Sequence, residues 1–244
     1  MSRSQTNTEI SDVRWKTFYK FAATLALLIV LIGLVDAVTS MLGGEAHENS
    51  TISVLEWFKL FESNPFAAMG NLGLFNIITL SLSIPLYLAL SNLHRQNHPS
   101  FATLAFILFA IGTAIYISSN TVFSMLALSN QYSAASDLQK PLYEAAGRAL
   151  LAQGADLTPG TFMGFLFTQT GSLLMAFVLL RGGIFSKTTA WLGAIGFGLM
   201  LVFFVIAAFV PAQYNTALMI SAPGALLLIA YQILLARRLF QLAV

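Results

Sequence analysis

FATLAFILFAIGTAIYISSNTVFSMLAL, residues 101–128, carries no charged side chain. At about 1.5 Å per residue a helix of this length exceeds the roughly 30 Å thickness of a bilayer's hydrocarbon core. The short alternating segments of a transmembrane barrel are absent from it. The stretch therefore reads as a membrane-spanning helix, with one peculiarity: Ser118, Ser119 and Asn120 interrupt its apolar run.

Five further runs share its character. The six apolar stretches cover residues 18–42, 66–91, 101–128, 161–181, 188–211 and 214–237. Turn signals separate them: Gly43-Gly44, Asn97-His98-Pro99, Thr158-Pro159-Gly160, Arg181-Gly182-Gly183 and Pro211. The composition agrees, at 57% hydrophobic and 9% charged over 244 residues, against about 25% charged in a soluble domain. The fold class expected is an all-α polytopic membrane protein, a single domain of six transmembrane helices. Arg14, Lys16 and Lys20 precede FAATLALLIVLIGLV, and the run 18–42 reads as a retained first span, being longer than the apolar core of a secretion signal.

Lysine and arginine give the orientation. The N-terminal tail, the 92–100 and 181–187 turns and the C-terminal tail hold nine: Arg3, Arg14, Lys16, Lys20, Arg95, Arg181, Lys187, Arg237 and Arg238. The opposite connections hold three, Lys59, Lys140 and Arg148, together with seven acids. Both termini are expected in the cytoplasm. Two short amphipathic helices are expected outside. In ISVLEWFKLFE (52–62), Val54, Leu55, Phe58 and Phe61 share a face; in 136–153, Leu138, Leu142, Ala145, Ala146, Ala149 and Leu150 do, with Gly154 as a C-terminal cap. They lie on the outer interface or close over the span ends as a lid. Trp15, Trp57 and Trp191 fall at the membrane boundaries as an aromatic belt.

The polar residues of the spans gather in the outer half. Asn120 lies about 28 Å along the third run, Asn76 about 15 Å down the second and Gln169 about 12 Å down the fourth. Asn71 and Asp36 lie near the outer surface, and Ser221 in the outer half of the last span. The inner halves hold mainly hydroxyls such as Thr24, Thr103 and Ser172, which bond back to their own helices. An outward-opening polar cleft follows, lined by Asn71, Asn76, Ser119, Asn120, Gln169 and Ser221 with Asp36 at its rim. Such a cleft suits a lipid or small amphiphile, for transport or sensing. Amides in membrane helices also serve as plain interhelical glue, at about 0.6 kcal/mol each. On that alternative the protein is a structural or accessory subunit, or a homo-oligomer, with no ligand.

Catalytic motifs are lacking. With no cysteine, thiolate chemistry and cysteine-ligated metals are excluded. There is no HExxH, GxSxG, phosphate-binding loop or dinucleotide fingerprint. His94 and His98 have a metal-ligand spacing that Pro99 denies a continuous helix, and Glu45, His47 and Glu48 read as a solvated loop. No cofactor or metal is expected. An outer-leaflet enzyme using Asp36 and His47 is the third reading. A net charge of +2, spread along the chain, gives no nucleic-acid surface; the expected partners are membrane lipids.

Two stretches, ISSNTVFSMLALSNQY (117–132) followed by EAAGRALLAQG, and RGGIFSKTTAWLGAIG (181–196), resemble the bacterial multi-pass membrane proteins grouped as domain of unknown function 4386. The resemblance covers roughly residues 60–240 and implies a six-span protein of the bacterial plasma membrane. It implies no activity, cofactor or catalytic residue.

Overall fold

A computed structural model describes residues 3–42 and 53–244, with side chains placed for 15–39 and 53–244. Every regular element among the described residues is helical. Six helices are long and apolar enough to cross a membrane. The spans are α1 (Arg3–Leu42), α4 (Leu74–Leu93), α5 (Pro99–Ser119), α8 (Pro159–Gly182), α9 (Lys187–Phe209) and α10 (Tyr214–Leu242). Large apolar side chains such as Phe21, Leu31, Phe101, Ile111, Phe177 and Ile195 lie exposed along them. That pattern would be ruinous in water and is what a lipid-facing surface requires. The protein is an integral membrane protein of the all-α polytopic class.

Each span packs chiefly on the spans before and after it, and α10 returns to α1. The six thus close a ring in chain order. The tightest seam is α5 on α8. A Cβ on Gly112 would stand 2.5 Å from the Thr168 backbone nitrogen, and one on Gly171 would stand 2.8 Å from the Ala105 carbonyl. Small residues let the two backbones meet, which replaces the hydrophobic driving force that lipid removes between helices.

Two of the six apolar runs are each two helices. The run 66–91 breaks at Leu72–Gly73, separating a short α3 (Pro65–Asn71) from α4. The run 101–128 breaks at Asn120–Thr121, separating α5 from α6 (Val122–Ala134). The physical reason lies in the break residues. Gly73 takes φ +95, a left-handed conformation that ends helical continuity. Asn120 is extended, with φ −69 and ψ 135, and turns its side chain onto the backbone, as asparagine does when it competes with a helix.

The segments beyond the breaks build a cap over one end of the ring, together with α2 (Val54–Ser63) and α7 (Lys140–Gly154). α2 starts with a capping box. The Ser53 amide donates to Glu56 Oε2 at 2.7 Å, and the Glu56 amide donates to Ser53 Oγ at 3.3 Å. Its face of Val54, Trp57, Phe58 and Phe61 is buried against Leu72, Val122 and Met125, each large side chain contributing about 1.5–3 kcal/mol. Four expectations change here. Trp57 is core of the cap rather than a belt residue, and Leu55 points away from it. The face expected over 136–153 is mostly exposed, with Leu138, just before α7, 92% and Leu142 71% accessible, because Gly147 is the point that fits against Val54 and Phe58. Gly154 is the last residue of α7 without a left-handed φ; a side chain there would strike the Ser119 carbonyl. The Gly43-Gly44 break and Glu45, His47 and Glu48 lie outside the described residues.

The opposite end is tied differently. Lys16 Nζ donates to the Val244 carbonyl at 2.8 Å, Asn92 Nδ2 to Tyr19 Oη at 2.8 Å, and Arg238 Nε to the Ile184 carbonyl at 2.9 Å. His94 is fully buried there, its ring stacked on Phe185 at 6.0 Å between centroids.

Candidate functional site

The two helix breaks face one another. Asn120 makes both at once: its Nδ2 donates to the Leu72 carbonyl at 2.8 Å, and its Oδ1 accepts from the Val122 amide at 2.9 Å. The side chain thereby caps α6 and fastens the end of α5 to the α3–α4 turn. The interruption in 101–128 is a helix terminus stitched to a second one.

A residue from elsewhere in the chain completes the arrangement. Asp156 sits in the short connection between α7 and α8, next to Leu157, which is the one non-glycine residue of positive φ (57) among the described residues. Its Oδ2 accepts from Asn76 Nδ2 at 2.8 Å, and its Oδ1 accepts from the Tyr116 hydroxyl at 2.7 Å. Tyr116 is wholly buried; Asn120 Nδ2 reaches its Oη at 3.3 Å. Gly73 is required twice over. Its φ favours glycine, and a Cβ would stand 2.8 Å from Asn120 Nδ2 and 3.0 Å from the Asp156 carboxyl carbon, as well as striking the Tyr116 hydroxyl. Charge-assisted bonds to a carboxylate are about twice as strong as neutral ones, so Asp156 is the anchor of this group.

Asp156 also lies within electrostatic range of Asp36 on α1 and Tyr214 on α10. Among the described residues no hydrogen-bond donor or cation reaches the half-buried Asp36 carboxylate. Within the described residues this second acid is therefore uncompensated in a span, where carboxylates are expensive and mark functional sites. Beneath lies an aromatic floor: Phe165 stacks on Phe204 at 3.9 Å, Tyr116 leans on Phe165 at 4.7 Å, and Phe203 adjoins Tyr214 at 6.4 Å. The result is a polar site of two carboxylates, two amides and two tyrosines, with apolar walls below and the cap above.

The site residues read from the sequence divide accordingly. Asn76 and Asn120 are joined through Asp156 and Tyr116, and Asp36 lies within electrostatic range of Asp156 without a bond to the cluster. Ser119 and Ser221 bond back to the Tyr116 and Leu218 carbonyls of their own helices. Among the described residues the buried Asn71 Oδ1 and the Gln169 Oε1 have no hydrogen-bond partner, and neither residue is bonded to the cluster. The sequence reading missed Asp156, counted there as an ordinary loop acid, and Tyr116 as its donor. Leu157-Thr158-Pro159-Gly160, a turn that must bring α7 directly onto α8, was the available signal. His94 and His98 belong to no cluster of metal-ligating residues among those described.

Comparison of the chain with family models, with curated proteins and with solved structures finds no match.

Proposed function

We propose that this protein binds the headgroup of a lipid or small amphiphile at the Asp36–Asp156 site, entering between the ring and its cap. One observation carries the reading. Asp156 is fully employed by Asn76 and Tyr116, whereas Asp36, close by in a span, has no donor or cation among the described residues. A headgroup rich in hydrogen-bond donors or positive charge would satisfy it, and the aromatic floor would take the adjoining apolar part. The cationic end of the ring supports a topology with both termini cytoplasmic and the site toward the outer leaflet.

The test is native mass spectrometry of the protein purified in mild detergent, comparing wild type with Asp36→Asn. A bound amphiphile that the wild type retains and the variant loses, at unchanged melting temperature, supports the proposal. An identical inventory of bound species removes it. A second reading has its own observation: the Asp156 latch is self-sufficient and gives the cap a structural purpose. A multimer or partner complex free of small molecules would favour that scaffold role.

A further inference from the structure

One hydrogen bond gathers cations at the end of the ring away from the cap. Arg238 Nε donates to the Ile184 carbonyl at 2.9 Å, which fastens the end of α10 onto the turn between α8 and α9. Arg181 and Lys187 each lie three residues from Ile184, and Arg237 adjoins Arg238. Positive side chains from three successive spans are thus drawn to a single contact.

Their charge is unanswered. Arg181, Lys187 and Arg237 are exposed, and none has a hydrogen-bond or ion-pair partner among the described residues. Arg238 spends its donors on neutral oxygens, the Ile184 carbonyl and Gln241 Oε1 at 3.2 Å. Both ion pairs among the described residues, Lys140–Asp137 and Arg148–Glu144, belong to the cap.

The faces carry the argument further. Residues four apart share a helical face. Arg181 stands one turn beyond Phe177, which is 48% exposed; Lys187 stands one turn before Trp191, 51% exposed; and Arg237 stands one turn beyond Ile233, 45% exposed. Each cation therefore crowns a strip of lipid-facing side chains. The three strips belong to α8, α9 and α10, which pack on one another in that order and present their exposed sides on the outside of the ring. A lipid lying with its acyl chains against Phe177, Trp191 and Ile233 brings its phosphate level with the cations.

We infer that this patch is a docking surface for an anionic phospholipid, its phosphate held by Arg181, Lys187 and Arg237 and its acyl chains laid along the outer faces of α8, α9 and α10. The Arg238–Ile184 bond holds the three cations in place around the headgroup. The surface lies at the opposite end from the Asp36–Asp156 site, has the opposite charge and does not depend on that reading.

The test is native mass spectrometry of the full-length protein in mild detergent, titrated with phosphatidylglycerol or with phosphatidylcholine of the same acyl chains. The wild type should bind the anionic lipid more tightly. Each of Arg181→Gln, Lys187→Gln and Arg237→Gln should weaken phosphatidylglycerol about fivefold, the effect of one Lys or Arg near a lipid surface, and leave phosphatidylcholine unchanged. Removing two cap cations with Lys140→Gln and Arg148→Gln should alter neither, and Asp36→Asn should leave phosphatidylglycerol binding intact. The charge-conserving Arg181→Lys and Arg237→Lys should retain it, a check that stands even if a glutamine variant folds poorly. Equal affinity of the wild type for the two lipids, glutamine variants that bind phosphatidylglycerol as the wild type does, or an equal loss from the cap pair overturns the inference. Displacement of the lipid by excess inorganic phosphate overturns it as well, since the patch would then be a site for a soluble anion.

Discussion

The two ends of the ring face the same problem with opposite chemistry. At the cap end, helix termini are held by a carboxylate: Asp156 draws Asn76 of α4 and Tyr116 of α5 together. At the other end they are held by cations and a neutral imidazole. Lys16 and Arg238 donate to backbone carbonyls, and His94 packs between its own turn and Phe185. Every carboxylate among the described side chains, namely Asp36, Glu56, Glu62, Asp137, Glu144 and Asp156, lies toward the cap. The lesson is that an acid can anchor one end because Lys140 and Arg148, the paired cations there, go to Asp137 and Glu144 rather than to Asp156, while at the other end the bonded cations are received by carbonyl oxygens. The ends should therefore fail under different insults.

Each end has a glycine of positive φ, and the pair gives the sharpest contrast. Gly73 (φ +95) is crowded by Tyr116, Asn120 and Asp156, whereas Gly183 (φ +69) has open space where a Cβ would go. Gly73→Val should have the largest effect, a loss of about 3–5 kcal/mol measured by denaturant or thermal unfolding, since strain and a clash with the latch add together. Asp156→Ala comes next, at about 2–4 kcal/mol, because it strands a buried tyrosine hydroxyl and an amide. Gly183→Ala should cost only about 1 kcal/mol, the left-handed backbone penalty alone. If Gly183→Ala proves as harmful as Gly73→Val, the asymmetry between the ends is wrong.

A smaller effect separates the ends by pH. His94 Nδ1 lies 2.9 Å from the Leu90 carbonyl, so it carries the proton, and its buried Nε2 has no partner among the described residues. Burial, with a lesser push from His98, holds its pKa below the ordinary 6.5. The unfolded chain then binds a proton that the folded one refuses, so stability falls as pH drops below about 6.5 toward the folded value. At the cap, Glu56 is held below its ordinary 4.5, chiefly by the Ser53 amide and then by the Ser53 hydroxyl. Its contribution is present above 4.5 and disappears only as pH falls through its lowered folded value. Between pH 7 and 5, melting temperature should decline in wild type and stay flatter in His94→Leu. Parallel curves for the two proteins would remove His94 from the account.

Much of the fold was legible because the membrane imposes it. Runs such as 188–211 admit no structure but a spanning helix, and α9 occupies Lys187–Phe209. Asn120 shows where legibility ended. Within 101–128 it has neither proline nor glycine beside it, so an intramembrane amide and a helix terminus look alike in one dimension. The difference is made by the Leu72 carbonyl, 48 residues away. Gly73 is hidden for a related reason: it lies inside the apolar run 66–91 and ends a helix there, which helical spacing alone does not reveal. Asp156 was invisible as a site residue because its partners, Asn76 and Tyr116, lie 80 and 40 residues distant.

The central claim is that the uncompensated acid beside the Asp156 latch receives a headgroup. A structure solved in lipid nanodiscs tests it most directly. The account predicts density for a polar headgroup within hydrogen-bond distance of Asp36, beside the carboxylate of Asp156 and above the Phe165–Phe204 stack. Asp36 instead engaged by a protein side chain, with lipid confined to the outer surface of the ring, would contradict it.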